Sequence, residues 1–403
     1  MRNRARGLVL AGGVAACLAI AGCGGSSSTS SGATNSPAAT TPTDSTSSTP
    51  AVTTESTPST DTSASPSAPA GGGGGAAGGG KVGILLPDTQ SSNRWVTSDP
   101  IALKAQCAKF KLSCDIQNAN NDPAKMVTIA QSMIDGGAKV LLVTPLDSAS
   151  AGKIETAAKS KGVITIDYDR LTAGGSASLY VSFDNLKVGQ LQGQSLLQCP
   201  EVKGASSVQY VDVNGSKTDN NATLFKQGYD SVLSKAPGWK KLDDQWIANW
   251  DNQQAGVTFS SMLQSNPTLK AVMVANDGMA NSVITSLAKQ KLAGKVAVSG
   301  QDATVQGLQH VLDGAQCFTI YKPSTGEADP AIAAAADFLA GNAPKTTTTI
   351  KDPTNGREVP AILATPIAIT KANINLPIAS GYAPKAQVCS GTYAAKCAAA
   401  GVK

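Results

Sequence analysis

Side chains that can bind several hydroxyl groups recur after the short apolar runs of this sequence. The ten that we single out are Arg94, Trp95, Asp169, Arg170, Asp219, Asn221, Trp250, Asn276, Asp302 and Lys322. Carboxylate, amide and guanidinium groups can each engage two neighbouring hydroxyls, and charge-assisted hydrogen bonds are the stronger ones. An indole ring suits the flat, apolar C–H face of a sugar. The set therefore predicts a carbohydrate-binding site.

The sequence also leaves structural explanations open for these residues. The ends of strands are loops, and loops are polar, which accounts for many of the side chains. Asp169 and Arg170 could form a salt bridge within their own loop. Trp250 could belong to a core, and Lys322 could be a surface charge near a hinge. Loop polarity does not explain why Trp95, Trp246 and Trp250, three of the four tryptophans, fall in these regions. Of the three, Trp246 is predicted to lie in the core.

Short β-rich runs alternate along the chain with stretches of helical periodicity. The predicted strands cover residues 82–86, 140–143, 163–166, 179–182, 208–211, 271–274, 296–298 and 317–321. The predicted helices cover residues 123–135, 148–160, 185–197, 220–233, 254–264 and 279–289. This alternation predicts parallel sheets with helices on both faces. Such sheets bind ligands beyond the carboxyl ends of their strands, which is where the ten candidates fall.

The composition excludes several classes of function. The chain has 403 residues, so two or three domains are expected. Its 33 basic and 28 acidic residues are too evenly balanced and too scattered for a nucleic-acid-binding face. His310 is the only histidine, so we expect neither a histidine-rich metal site nor a triad that needs histidine. The glycine run at 71–80 precedes a strand, whereas a dinucleotide-binding loop follows one. No cofactor and no metal are therefore predicted.

The N-terminal segment resembles an export signal with a lipidation site. Three arginines precede an apolar stretch over residues 7–21, which is typical of a signal peptide covering residues 1–22. The Ile-Ala-Gly-Cys segment that ends at Cys23 resembles a bacterial lipobox, in which the cysteine is acylated. An ordinary signal with an incidental cysteine is the alternative. The lipobox predicts an exported protein held by lipid at the extracytoplasmic face of the membrane.

Residues 23–80 have the composition of a tether. From residue 24 onward they are almost entirely Ser, Thr, Ala, Pro and Gly, and Val52 is their only β-branched apolar residue. Such a segment cannot bury enough apolar surface to offset its ordering entropy, so disorder is predicted. Beyond the signal, no apolar run reaches the roughly 20 residues that a membrane-spanning helix needs. The remaining chain, from residue 81, is long enough for two hydrophobic cores.

Seven short motifs occur in an order that identifies a family. They are Asn93-Arg94-Trp95, Tyr168-Asp169-Arg170, Ser182-Phe183-Asp184-Asn185-x-Lys187-Val188-Gly189, Asp219-Asn220-Asn221-Ala222, Asp244-Gln245-Trp246, Ser299-Gly300-Gln301-Asp302-Ala303 and Tyr321-Lys322-Pro323. Together they resemble the D-xylose-binding proteins of bacterial ABC importers, within the ribose/galactose-type periplasmic binding proteins, over residues 81–380. The resemblance implies an α/β fold of the type I periplasmic binding protein class. Two lobes, each a doubly wound parallel sheet, are joined by a three-crossing hinge, with the sugar in the cleft.

The resemblance also implies roles for the candidate residues. All but Trp95 occupy positions matched to the family's sugar contacts, with Trp250 as the stacking tryptophan. Trp95 is expected to cover part of the other sugar face. Residues 87–92 do not follow the xylose-binding proteins closely. The residues alone leave pentose and hexose open.

The lobes implied by the resemblance are discontinuous in sequence. The first lobe is expected to contain residues 81–185 and about 322–350, and the second to contain residues 186–321 and about 351–403. The resemblance implies a monomeric substrate-binding lipoprotein that takes a monosaccharide, D-xylose in the first instance, and delivers it to an ABC permease by hinge closure. A sugar sensor that passes its signal to a receptor is the alternative.

The cysteine count indicates disulfides. Apart from Cys17 in the signal and Cys23 at the lipidation site, the chain has six cysteines, which allow 15 connectivities. An even count in an exported protein favours disulfide pairing. Four cysteines are predicted to lie at the amino edges of the sheets and two lie close together in a short C-terminal segment, which favours three pairs. These are Cys107 with Cys114, Cys199 with Cys317, and Cys389 with Cys397.

Two other classes of function compete with transport. A glycosidase needs two carboxylates across a scissile bond, but Asp167 and Asp169 are two residues apart on one strand end and need not face each other. The sequence has no G-x-S-x-G motif and no metal-binding cluster. A sugar-responsive transcription regulator needs an N-terminal DNA-binding helix pair, where this chain has a signal and a tether. We therefore predict that the protein is not an enzyme.

Overall fold

The computed structural model describes residues 80–403 of the chain. The predicted signal peptide, the lipidation site at Cys23 and all but the last residue of the tether lie outside the described residues. Among the helices that the model describes, none combines the length and the apolar character needed to cross a bilayer.

Thirteen strands and twelve α-helices alternate along the described residues. The strands are β1 (Lys81–Leu86), β2 (Ser113–Asn118), β3 (Val140–Val143), β4 (Ile164–Tyr168), β5 (Leu179–Phe183), β6 (Val208–Asn214), β7 (Trp239–Trp246), β8 (Ala271–Val274), β9 (Ala297–Val298), β10 (Thr319–Tyr321), β11 (Thr348–Lys351), β12 (Glu358–Ala364) and β13 (Ile367–Ile369). The helices are α1 (Ser98–Lys109), α2 (Pro123–Asp135), α3 (Ser148–Ser160), α4 (Asn185–Leu196), α5 (Asn220–Leu233), α6 (Asn252–Ser265), α7 (Asp277–Lys289), α8 (Val305–Asp313), α9 (Thr325–Leu339), α10 (Asn375–Ala379), α11 (Lys385–Val388) and α12 (Tyr393–Ala399). The alternation predicted from the sequence is confirmed.

The first lobe is built on a seven-stranded sheet in the order β11-β12-β5-β4-β3-β1-β2. All neighbours pair in parallel except β11 and β12, which form an antiparallel edge. All four residues of β3 are buried, as are five of the six residues of β1, because helices cover both faces of the sheet. One face packs against α1 and α9, and the other packs against α2 and α3.

The second lobe is built on a four-stranded parallel sheet in the order β7-β6-β8-β9. Beside it, β10 and β13 form a two-stranded antiparallel sheet. Helices α4 and α5 approach closely because Gly189 of α4 has no side chain. A Cβ at this position would lie 2.0 Å from the carbonyl oxygen of Phe225 in α5. Residues 370–403, here called the C-terminal tail, share a small core with α8.

The chain crosses between the lobes three times, as expected from the resemblance. The crossings lie between β5 and α4, between β10 and α9, and between β12 and β13. The first and third crossings are tied together, because the backbone N–H of Asp184 donates to the carbonyl oxygen of Ala364 at 3.0 Å.

The expected boundary of the first lobe at about residue 350 is wrong. Strand β12 pairs in parallel with β5, with Ile362 beside Val181, so the first lobe extends to residue 364. Val359 and Ala361 are fully buried on this strand while Pro360 between them is not. The strand covers an edge of β5 that would otherwise expose unpaired backbone groups.

All three predicted disulfides are formed. Their Cα–Cα distances are 6.2 Å for Cys107–Cys114, 5.8 Å for Cys199–Cys317 and 5.7 Å for Cys389–Cys397. Within the described residues they use every cysteine. Each of the first two joins elements of one lobe, whereas the third closes a short loop in the C-terminal tail.

We expect the Cys199–Cys317 disulfide to stabilise the fold more than the Cys107–Cys114 disulfide. The Cys199–Cys317 bond joins residues with a sequence separation of 118, whereas the Cys107–Cys114 bond joins residues with a sequence separation of only 7. Cross-linking a longer loop removes more entropy from the unfolded chain, about 5 kcal/mol against about 2.5 kcal/mol. Urea denaturation of the C199A/C317A and C107A/C114A double variants measures the two losses. Equal losses would contradict the entropic explanation.

Candidate functional site

A cavity with an empty volume of about 300 Å³ lies between the two lobes. Its lining consists of Ser91, Ser92, Arg94, Trp95, Asp169, Arg170, Asp219, Asn221, Phe225, Trp250, Asn276, Gln301, Asp302 and Lys322. All ten residues singled out from the sequence are among these fourteen.

The ends of the strands bring these residues together. Arg94 and Trp95 lie in a single 3₁₀ turn after β1, Asp169 and Arg170 directly follow β4, and Lys322 directly follows β10. Helix caps position others: the side chain of Asp219 accepts from the backbone at the start of α5, and Asn276 does the same for α7. A side chain that caps a helix is held in one orientation, which makes these cleft residues rigid.

Arg94 is the centre of a buried ion cluster in the first lobe. Its Nε and Nη2 donate to Asp99 at 2.8 and 2.7 Å, and its Nη1 donates to Asp169 at 2.9 Å. Nη2 also donates to Glu327 of α9. Burial opposes the charge, yet Asp99, Glu327 and Asp169 hold the pKa of Arg94 well above its ordinary value.

This cluster gives Arg94 a structural role beside the one expected from the sequence. Three carboxyl groups accept four hydrogen bonds from its guanidinium, so Arg94 fixes the orientation of Asp169 while it also lines the cavity. Burial raises the pKa of Glu327 well above its ordinary value although Arg94 opposes the shift.

Asp169 stays ionised in the cleft. Burial opposes its charge, but Lys322, Arg94 and Arg170 hold the pKa of Asp169 below its ordinary value. The ammonium of Lys322 lies 3.7 Å from Asp169 Oδ2 and 3.6 Å from Asp302 Oδ1. Lys322 is buried at the second crossing, so the alternative of a surface charge is excluded.

Polar contacts join the two lobes across the cleft. Arg170 Nε lies 3.0 Å from Asp219 Oδ2 on the second lobe. The salt bridge of Arg170 therefore crosses the cleft and is not the alternative pairing with Asp169 within one loop. The hydroxyl of Ser92 donates to Asp302 Oδ2 at 2.8 Å. Asn276 Nδ2 donates to the carbonyl oxygen of Ser91, also at 2.8 Å. These pairs define a closed arrangement of the lobes.

Asn221 connects the cleft to the first crossing. Its Nδ2 donates to the carbonyl oxygen of Asp169 at 2.8 Å, and its Oδ1 accepts from Asn185 at 2.8 Å and Tyr180 at 3.1 Å. With these hydrogen bonds in place, Asn221 positions the loop that carries Asp169 and Arg170.

Two tryptophans supply apolar walls, one from each lobe. Trp95 donates from Nε1 to Ser91 Oγ at 3.2 Å, and Trp250 donates from Nε1 to Asp219 Oδ2 at 3.2 Å. Trp250 also belongs to the core of the second lobe, where it makes an edge contact with Phe225. Both sequence interpretations of Trp250, as a cleft wall and as core, therefore apply.

Two oxygen atoms of the site are buried without a hydrogen-bond donor among the residues that the model describes. They are Asp302 Oδ1 and Gln301 Oε1. The ammonium of Lys322, 3.6 Å from Asp302 Oδ1, faces that atom as an ion pair and is too far for a hydrogen bond. A buried acceptor that receives no hydrogen bond is costly, by about 1–3 kcal/mol. Both atoms are therefore suited to accept from the hydroxyl groups of a ligand.

Sequence reasoning did not select several residues of the site. Ser91, Ser92, Gln301 and Phe225 line the cavity, and Glu327 completes the ion cluster behind it. Gln301 lies within a recognised motif, so a signal for it existed. Glu327 lies in an alanine-rich helix, where an acidic residue is most simply explained as solvent-exposed. Trp246, expected in the core, is half-buried against it.

Comparison with known proteins identifies the class. Residues 82–343 match the model of the periplasmic binding protein domain. The match spans more than half of the chain, and the chain therefore belongs to this family. It is a family of binding proteins, and the prediction that the protein is not an enzyme is confirmed.

Individual relatives narrow the comparison. The chain is 32% identical over 299 residues to the D-xylose-binding periplasmic protein of Escherichia coli, a match that covers 73% of this chain and 88% of that protein. It is 34% identical over 299 residues to the protein of the same name from Haemophilus influenzae, covering 73% and 87%. A solved structure, an ABC transporter solute-binding protein from Clostridium phytofermentans with bound β-D-glucose, is 26% identical with a TM-score of 0.67. That match covers 76% of this chain and 99% of the other.

We expect Arg94→Ala to destabilise the protein strongly, whereas Arg170→Ala has a small effect. The first change leaves three carboxyl groups without their shared cation, which costs about 3–5 kcal/mol for a buried pair. The second removes an arginine whose partner lies across a cleft that solvent enters when the lobes separate. Urea denaturation without sugar measures both. If Arg94→Ala kept full stability and lost only sugar affinity, Arg94 would be a direct ligand contact.

Proposed function

We propose that this protein is the extracytoplasmic substrate-binding lipoprotein of a carbohydrate ABC importer, and that it binds a monosaccharide, D-xylose, in the cleft. The observation that carries the proposal is the buried cavity with a tryptophan on each lobe, in which the acceptors Asp302 Oδ1 and Gln301 Oε1 receive no hydrogen bond from the residues that the model describes. A hydroxyl group donates and accepts at once, so a sugar pairs with acceptors and with nearby cations. The names of the relatives support the choice of D-xylose.

The charges around the cavity suit a neutral, polyhydroxylated ligand. Arg170 and Lys322 offer donors, while Asp169 and Asp302 offer acceptors, and each already has a partner of opposite charge in the cleft. A charged ligand would leave one of these charges without a counter-ion, whereas a neutral sugar hydrogen-bonds to all of them. The apolar faces of Trp95 and Trp250 match the C–H groups of the ring.

Closure of the lobes gives the proposed transport cycle. Each lobe supplies part of the contacts, so a ligand that touches both lobes favours the closed form through its differential affinity. Hinge closure around a ligand is the characteristic motion of periplasmic binding proteins. The closed form would then dock on a membrane permease, with the protein acting as a monomer.

Titration calorimetry against D-xylose, D-ribose, D-glucose and D-galactose tests the proposed ligand. We expect D-xylose to bind tightest, and a preference for a hexose would replace xylose while keeping the transport function. If none of these sugars bound, the proposed function would be wrong.

We expect Arg170→Ala and Asp302→Ala each to weaken sugar binding by about ten- to a hundredfold. Each change leaves a hydroxyl of the bound sugar without its charged partner, at a cost of about 1–3 kcal/mol or more. Arg357→Ala is the matched control, because this arginine lies between β11 and β12 and is not among the residues lining the cavity. Near-normal affinity in both cleft variants would refute the site.

The lipid anchor is proposed at Cys23. Cys23→Ala should move the protein from the membrane fraction to the soluble fraction, because it removes the residue that would carry the acyl chains. Cys17→Ala changes the other cysteine of the N-terminal segment and should leave the protein in the membrane fraction. Fractionation after a salt wash and immunoblotting measure both. Membrane retention of the Cys23 variant would exclude this anchor.

A further inference from the structure

The backbone that carries Asp302 has an uncommon conformation. Asp302 has a φ of 95° and Ala303 has a φ of 48°, so two successive non-glycine residues lie at positive φ. Such residues are strained and persist only where the surrounding structure holds them. The orientation of the Asp302 carboxylate therefore depends on contacts made by its own backbone.

One set of contacts holds this loop from within the second lobe. The backbone N–H of Asp302 donates to Ile320 O at 2.7 Å, and that of Ala303 donates to Thr319 Oγ1 at 3.1 Å. Thr319 Oγ1 in turn donates to Asp277 Oδ1 at 2.9 Å. These bonds fix the N–H groups of the loop but leave the carbonyl of Asp302 free.

The C-terminal tail holds that carbonyl. The hydroxyl of Tyr382 donates to Asp302 O at 2.7 Å. The ring of Tyr382 makes an edge contact with Tyr321, with centroids 4.9 Å apart. The hydroxyl of Tyr321 shares a hydrogen bond with Ser380 Oγ at 2.9 Å, which fixes the tail beside the loop.

We propose that Tyr382 is a positioning residue for the sugar site, which acts by holding the Asp302 carbonyl so that the Asp302 carboxylate points into the cavity. Tyr382 is not among the cavity-lining residues, so it acts only through Asp302. The proposal rests on the proposed function as far as affinity is concerned. The effect on the loop itself does not depend on any ligand.

Removing one oxygen atom separates this role from packing. Tyr382→Phe keeps the ring and its contact with Tyr321 and loses only the hydrogen bond. Tyr393→Phe is the matched control, because Tyr393 lies in the same tail and also donates one hydrogen bond, to Asp313 at 2.8 Å, and neither residue lines the cavity.

The first measurement is calorimetric titration with D-xylose. We expect Tyr382→Phe to weaken binding about three- to tenfold, the effect of one lost hydrogen bond, and Tyr393→Phe to leave it unchanged. In the Asp302→Ala background, Tyr382→Phe should have no further effect, because the carboxylate that it positions is absent. A loss of the same size in both backgrounds would overturn the proposal, and so would unchanged affinity in Tyr382→Phe.

The second measurement is hydrogen exchange of residues 300–304 by mass spectrometry, without sugar. We expect faster exchange in Tyr382→Phe than in the unaltered protein or in Tyr393→Phe, because the strained loop loses one of its holds. Unchanged exchange would overturn the proposal whichever ligand the protein binds. Altered exchange without binding of any sugar would instead refute the proposed function and retain Tyr382 as the residue that holds the loop.

Discussion

The buried guanidinium of Arg94 is the interaction on which the rest of the cleft depends. It joins the turn after β1 to α1 through Asp99, to the end of β4 through Asp169, and to α9 through Glu327. Because α9 begins just after the second crossing, one cation connects the sheet of the first lobe to the hinge. The carboxylate of Asp169 also forms an ion pair with Lys322, and Lys322 forms a second ion pair with Asp302. A continuous series of alternating charges thus runs from the first core to the loop after β9.

The polar pairs that bridge the cleft also affect the equilibrium between the open and closed positions of the lobes. Ser92 with Asp302, and Arg170 with Asp219, stabilise closure by themselves, because each pair bridges the cleft. A ligand that shares these groups gains only the difference between its own hydrogen bonds and those that it replaces. The affinity of such a site is therefore set as much by contacts between protein groups as by contacts with the ligand.

The sequence was sufficient to predict the alternation of elements, the three cysteine pairs and the ten residues around the cavity. Each of these depends on local signals, such as the caps Asp219 and Asn276, or on ordered motifs at strand ends. What it did not predict depends on distant partners. Strand β12 contains Pro360, which argues against a strand, and its place is decided by the open edge of β5. Glu327 and Tyr382 carry no local signal, since each has its role only through a residue more than 75 positions away.

The ring of Trp250 lies directly against Gly215. A Cβ at Gly215 would come within 2.2–2.4 Å of three carbon atoms of the indole, so any larger residue there would displace the tryptophan. Trp250 borders the cavity, whereas Gly215 is not among the residues that line it. The space left for a ligand thus depends on the absence of a side chain at Gly215, which leaves room for the indole of Trp250. In the divergence of such proteins, a change at this one glycine could narrow the range of accepted sugars while every residue in contact with the sugar stays the same.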